Sequence, residues 1–299
     1  MCDHSSQDEM LAEARKLLDQ VKAADHNLTQ DVSHFIQTET SKVLSEGRGT
    51  DTTLFFDVSG SMGTDSHGPW DKQRKIIKAI VPTAKEFDGD GIDLIPIMEK
   101  NPMELGPMTG IKDAGVAMKF VDKFRGKLLG STPTRGLFEA YIDDHVDACI
   151  RDSNTKRLNI VIITDGEPSD LHNPSMTKTT EKATVRLRKH DLSPKEYLGV
   201  SYVIVTEDFK TMANYRKLDN RTMWGPDDNK VECDLSNAIY PFIITALGGP
   251  DKQVVINLIL AGNKSEALDR AAEKLLQGVP KQLIEHMDAY IEAGFAVEV

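Results

Sequence analysis

Residues 54–62 read Leu-Phe-Phe-Asp-Val-Ser-Gly-Ser-Met, and residues 160–166 read Ile-Val-Ile-Ile-Thr-Asp-Gly. Each run is an apolar segment of strand length that leads into an aspartate, Asp57 in the first and Asp165 in the second. A continuous apolar run is typical of a parallel strand that is covered on both faces. The two segments therefore predict buried strands whose carboxyl ends carry acidic side chains.

Strands and helices alternate on either side of these two runs. Besides the strand that ends at Asp57, strands are predicted over 92–97, 158–164 and 199–205, with a short edge strand within 101–110 and a late strand at 254–260. Helices are predicted over 70–87, 111–124, 135–151, 179–190 and 209–218, whereas 238–247 fits either a strand or a helix. The alternation predicts an α/β fold, a doubly wound, mostly parallel open sheet with helices on both faces.

Helical patterns flank this predicted sheet. Residues 8–46 place apolar side chains at steps of three and four, which predicts an amphipathic helical arm packed on the main domain, with a coiled-coil dimer as the alternative. Residues 264–291 return to a helical pattern that Pro280 should kink. We therefore divide the chain into an N-terminal helical arm (1–48), an α/β domain (51–262) and a C-terminal helical extension (263–299).

Composition narrows the class of protein. The 299 residues carry a formal net charge of −11, which disfavours broad binding to nucleic acid or to anionic membranes. Three cysteines without a CxxC pair fit reduced thiols rather than a disulfide framework. The polar, acidic start lacks a signal-peptide pattern, and no run approaches the ~20 apolar residues of a membrane span. We expect a soluble, cytoplasmic protein, and the sequence does not indicate its oligomeric state.

The loops after the strands carry the chemistry. Asp57, Ser59 and Ser61 alternate along the chain, so their side chains point to one side of an extended backbone. Asp57 and Asp165 follow the first and fourth predicted strands, which are neighbours where the strand order of such a sheet reverses, the usual place for a ligand. With Thr132 from the loop 130–134, these side chains offer only oxygen, which suits a hard divalent cation such as Mg²⁺.

The same residues resemble the metal-ion-dependent adhesion site of the von Willebrand factor A family. That motif is Asp-x-Ser-x-Ser, a distant Thr and a later Asp-Gly after a strand, and it is matched in order over about residues 51–218. The resemblance implies a metal site formed by Asp57, Ser59, Ser61, Thr132 and Asp165, with Thr134 as the alternative to Thr132.

The resemblance also implies a function. Proteins of this family bind protein partners through Mg²⁺ or Mn²⁺, with Ca²⁺ as a further candidate here, and are usually not enzymes. We accordingly expect a non-enzymatic module that captures an Asp or Glu side chain of a partner. The alternative is an adaptor or regulatory subunit of an AAA+ ATPase or a multiprotein complex, because intracellular members often work beside such proteins.

Other patterns receive plainer interpretations. An aspartate after a strand is also found as the nucleophile of haloacid-dehalogenase-type phosphatases, but those need a second acid two residues later, where this chain has Ser59. The acidic group Asp143, Asp144 and Asp147 and the basic stretch 178–190 are interpreted as solvated helix faces.

Overall fold

A computed structural model of the chain describes residues 4–23, 38, 49–63, 65–66, 68–99, 106–128, 130–219, 222–224, 230–232, 236–239, 259, 279–297 and 299. The strands are β1 (Thr50–Asp57), β2 (Ile92–Ile97), β3 (Met108–Ile111), β4 (Arg157–Thr164), β5 (Leu198–Ile204), β6 (Thr222–Trp224), β7 (Lys230–Glu232) and β8 (Ser236–Ile239). The helices are α1 (His4–Ala23), α2 (Pro69–Phe87), α3 (Ala114–Val121), α4 (Thr134–Arg151), α5 (Met176–Arg188), α6 (Pro194–Tyr197), α7 (Phe209–Asp219) and α8 (Val279–Glu292).

Six strands form one sheet in the order β3-β2-β1-β4-β5-β8. Neighbours in this sheet run parallel except β2 and β3, which are antiparallel, and β6 and β7 form a separate antiparallel pair. The strand order reverses between β1 and β4, so crossover helices cover both faces. The predicted α/β architecture, doubly wound and mostly parallel, is confirmed.

The centre of the sheet is buried and mainly apolar. Strand β1 pairs with β4 from Thr50 opposite Arg157 to Phe56 opposite Ile163. Every residue of β4 is buried, as a strand covered on both faces requires. This register brings the carboxyl ends of β1 and β4, and therefore Asp57 and Asp165, to the same edge of the sheet.

Two helices begin where a polar side chain caps them, and this explains two differences from the predicted boundaries. The Asp113 side chain accepts a hydrogen bond from Val116 N (2.9 Å), so α3 starts at Ala114 and Ile111 belongs to β3. The Ser175 side chain accepts a hydrogen bond from Lys178 N (3.3 Å), so α5 starts three residues before the predicted residue 179.

The later predicted elements fall largely outside the described residues. Within the predicted strand 254–260 only Ile259 is described, and it is helical, fully buried and bonded through its carbonyl to Ser201 Oγ (3.0 Å). Strand β8 covers the first two residues of the ambiguous segment 238–247, and the rest of that segment lies outside the described part.

The flanking helices pack on each other and on α7. Gln7 Nε2 of α1 donates to the hydroxyl of Tyr290 in α8 (2.8 Å), and Arg216 of α7 forms an ion pair with Asp288 of α8 (3.1 Å). Ala14 and Leu18 are buried, so the apolar stripe of α1 contacts its own chain. Among the described helices, none is long and apolar enough to cross a bilayer.

Candidate metal-binding site

Asp57 is fully buried at the end of β1, and both of its carboxylate oxygens accept hydrogen bonds. Ser59 N donates to Oδ1 (2.8 Å), and the hydroxyl of Thr164, the last residue of β4, donates to Oδ2 (2.7 Å). These bonds fix the carboxylate between the two central strands. They also lower the energy of its charged form, which burial disfavours.

Gln73 on α2 holds the backbone of Asp57. Its Nε2 donates to the Asp57 carbonyl (2.8 Å), and its Oε1 accepts from the Asp57 N–H (2.9 Å). Gln73 is itself fully buried, so this pair of bonds satisfies both polar groups at the point where β1 leaves the sheet. A polar residue in a helix sixteen positions away gives no local signal of this role, and the sequence analysis missed it.

The two serines connect Asp57 to Asp165 through a single turn of 3₁₀ helix, Gly60–Met62. The hydroxyls of Ser59 and Ser61 share a hydrogen bond of 3.0 Å, and Ser61 Oγ donates to Asp165 Oδ1 (2.8 Å). Ser59 is buried, whereas Ser61 is exposed. Side-chain oxygens of the loops after β1 and β4 therefore form a hydrogen-bonded row that leads from the buried Asp57 to the surface.

The loop of Thr132 lies against this turn. The carbonyl of Gly130 accepts from Gly60 N (3.3 Å), and the carbonyl of Thr132 accepts from Ser169 N (2.9 Å) in the loop after β4. Thr132 itself is 6% exposed. The structure thus brings together the three loops that the sequence assigned to one site.

Thr134, the alternative to Thr132, is the first residue of α4. Its hydroxyl donates to the carbonyl of Thr132 at 3.4 Å, and its side chain is almost completely buried. This bond directs the Thr134 hydroxyl toward its own loop, which favours Thr132 as the ligand residue.

Neighbouring acids hold the loops in place. Asp170 accepts from the backbone N–H groups of Arg135 (3.0 Å) and Gly136 (2.7 Å) in the first turn of α4, where a negative charge is favourable. Glu99, after β2, accepts from Ser131 Oγ (2.9 Å) and so anchors the Thr132 loop from the other side. Asp170 therefore caps the start of α4.

Helix α7 holds the loop that follows Asp165. The Tyr215 hydroxyl donates to the carbonyl of Gly166 (3.1 Å), and Asn214 Nδ2 donates to the Glu167 carboxylate. Asn214 Oδ1 also accepts from Val297 N (2.8 Å), so the segment after α8 reaches the same helix side chain.

The two aspartates are electrostatically unfavourable neighbours. Burial raises the pKa of Asp57, although hydrogen bonds from Thr164 and Ser59 oppose the shift. Burial, and then repulsion from Asp57, raises the pKa of Asp165 to about 6. Within the described residues, neither carboxylate has a basic ion-pair partner. The donor set of two carboxylates and hydroxyl groups matches the oxygen ligands of a hard cation, so the residues fit a bound Mg²⁺.

Acidic residues elsewhere divide into two groups. On α4, Asp143 and Asp147 form ion pairs with Lys182 and Arg186 of α5, so these charges neutralise each other across two helices. At the opposite edge of the sheet, Asp51, Asp88 and Asp90 offer carboxylate oxygens that all lie within 4.8 Å of one another, close enough to hold an ion. Sequence spacing does not indicate this second group, because Asp51 joins Asp88 and Asp90 only when β1 pairs with β2.

Comparison with known proteins adds no family assignment. No family model matches the chain, and no curated protein matches it at a significant level.

Proposed function

We propose that this chain is a protein-binding module of the von Willebrand factor A type, in which a bound Mg²⁺, or alternatively Mn²⁺ or Ca²⁺, captures an acidic side chain of a partner. The residues that would hold the ion are Asp57, Ser59, Ser61, Thr132 and Asp165. Once bound, the ion would supply an electrophilic centre for a partner carboxylate.

One observation carries this proposal. Asp57 and Asp165 meet at the edge between β1 and β4, are joined through the hydroxyls of Ser59 and Ser61, and have no basic partner among the described residues. Two carboxylates in a partly buried site repel each other unless a positive charge compensates them. A divalent cation provides that charge and can also be coordinated by the hydroxyl oxygens.

The partial solvent exposure of the site supports binding of a side chain from a partner protein. Asp57 and Ser59 are buried, whereas Ser61 is exposed and Asp165 is partly exposed, so the site opens to solvent on the Ser61 side. A carboxylate that arrives from that side would meet a cation whose neutral serine and threonine ligands leave it with positive charge. This arrangement would favour acidic partners, because a carboxylate binds an ion whose other ligands are largely neutral hydroxyls more strongly than a neutral group does.

Calorimetric titration of Mg²⁺ tests the site. The wild type should bind Mg²⁺, and Asp165→Asn, which keeps the shape and the hydrogen-bond acceptor for Ser61, should weaken binding by roughly tenfold or more. Asp65→Asn is the matched control, because Asp65 is an exposed acid close to the same turn and should leave binding unchanged. Equal Mg²⁺ affinity in the wild type and Asp165→Asn would refute the assignment.

The same variants test the function. Partner capture from a lysate should require Mg²⁺, should be abolished by a chelator and by Asp165→Asn, and should survive Asp65→Asn. Captured protein should be released by free acidic peptide, because the peptide carboxylate competes for the same open coordination position on the ion. Capture that ignores both the chelator and Asp165→Asn would contradict metal-dependent binding.

The surroundings of Asp57 argue against a phosphatase. A nucleophilic aspartate of this kind works with a second acid, two residues later, that acts as proton donor. Ser59 occupies the position at which such an enzyme needs its second acid. A phosphate-release assay with Mg²⁺ checks this, and turnover that Asp57→Asn abolishes would favour the enzyme instead.

A second candidate is an adaptor or regulatory subunit of an AAA+ ATPase or a multiprotein complex, in which the flanking helices make the constant contact. The contact that favours it is made by Asn214, which bonds both the loop after Asp165 and the segment after α8. Binding that a chelator leaves intact but that deletion of residues 1–48 abolishes would support this role over metal-dependent capture.

A further inference from the structure

A second group of acids lies at the amino-terminal ends of the central strands, which we call the amino edge of the sheet. This is the other end of β1 from Asp57. Asp51 is the second residue of β1, and Asp88 and Asp90 belong to the turn that leads from α2 into β2. We propose that this amino-edge cluster, Asp51, Asp88 and Asp90, binds a divalent cation of the Ca²⁺ class independently of the Asp57 site.

The buried oxygen of Asp88 points to a ligand. Asp88 is only 1% exposed, and its Oδ2 accepts from the backbone N–H of Thr52 (2.8 Å). Its Oδ1 is buried and receives no hydrogen bond within the described residues. Lys156 Nζ forms a long ion pair with this oxygen at 3.9 Å, beyond hydrogen-bond distance. A buried carboxylate oxygen without a donor is costly, and a coordinated cation removes that cost.

The balance of charge around the cluster is negative. Lys156 forms an ion pair with Asp90, and a nearby lysine, Lys112, donates instead to the carbonyl of Gly89 (2.6 Å). One paired lysine therefore faces three carboxylates, which leaves room for a divalent charge.

The oxygen ligands and open surroundings favour Ca²⁺ over Mg²⁺. Ca²⁺ accepts about six to eight oxygen ligands in flexible geometry, whereas Mg²⁺ demands a near-ideal octahedron. The three carboxylate oxygens are close enough together to share one such ion. Asp51 and Asp90 are exposed, so water can complete the coordination from outside.

Calorimetric titration of Ca²⁺ into the full chain tests this site separately from the first. All proteins carry Asp165→Asn, so that the proposed site at Asp57 is already weakened. In this background Ca²⁺ should still bind at millimolar concentration or below, and the further change Asp90→Asn should weaken it by roughly tenfold. Asp90 is largely exposed, so its replacement should leave folding intact, as thermal melting in chelator will verify.

Two further variants sharpen the test. Asp144→Asn removes the same charge from an exposed position on α4 and should leave Ca²⁺ affinity within about twofold. Lys156→Met removes the ammonium group that competes for Asp90 and should tighten Ca²⁺ binding by about threefold or more. The proposal is overturned by absent Ca²⁺ binding, by equal affinity after Asp90→Asn, or by unchanged or weaker affinity after Lys156→Met.

Discussion

Replacing Gln73 by leucine tests how the protein positions Asp57. Leucine has a similar volume, but it cannot bond the N–H and carbonyl of Asp57, which the Gln73 amide holds at 2.9 and 2.8 Å. Both backbone groups lie in the interior, beside two residues that are fully buried. A buried polar group left without a partner costs about 1–3 kcal/mol, so the loss of two partners in Gln73→Leu should lower the free energy of unfolding by about 2–6 kcal/mol.

Urea denaturation in chelator measures this loss without any contribution from bound metal. Lys78→Leu is the matched control, because Lys78 is exposed on the same helix and its replacement should change stability by less than about 0.5 kcal/mol. Folded Gln73→Leu protein should also bind Mg²⁺ more weakly, because the end of β1 is no longer fixed. A loss below about 1 kcal/mol, or unchanged Mg²⁺ affinity, would refute the role assigned to Gln73.

Three further predictions follow from the site and its surroundings. In chelator at pH 7, Asp165→Asn should raise the free energy of unfolding by up to about 3 kcal/mol, because the pKa of Asp165 is raised from 3.8 to about 6 in the folded protein. Urea denaturation should show that this gain vanishes below pH 4, where the aspartate is protonated in both states. A loss of stability at pH 7 would contradict the prediction. Asp170→Ala should cost about 1–2 kcal/mol in the same assay, because it removes two hydrogen bonds at the start of α4, and no loss would count against the capping role. Burial lowers the pKa of His145, so NMR should show its ring titrating at a lower pH than free histidine. The free energy of unfolding should fall as the pH drops below about 6.5, because the unfolded chain then binds the proton more readily. Titration at or above that pH would contradict the prediction.

The fold could be predicted because its central strands are locally unambiguous. Residues 160–163 before Asp165 are continuously apolar, and every residue of β4 is buried, as in a strand covered on both faces. The usual strand order of such sheets then predicts that the strands ending at Asp57 and Asp165 are neighbours. The observed pairing of β1 with β4 agrees with this prediction. Boundaries were less certain, because single capping side chains such as Asp113 and Ser175 decide where helices begin.

The parts of the candidate site that could not be predicted depend on distant partners. Gln73 and Thr164 bond Asp57 from two other elements, and neither belongs to a motif around the residues it supports. The amino-edge cluster was missed for the same reason, since Asp51 and Asp88 become neighbours only when β1 and β2 pair. Sequence spacing indicates side chains that share one loop, but it does not indicate which loops meet.

Anomalous diffraction from crystals grown with Mn²⁺ tests the central claim most directly. The account predicts a manganese peak between the Ser59–Ser61 turn, Thr132 and Asp165, at the carboxyl edge of β1 and β4, and loss of that peak in Asp165→Asn. Well-ordered crystals without a peak at this edge, or with Mn²⁺ bound there equally in Asp165→Asn, would contradict the assignment of these loops to one cation.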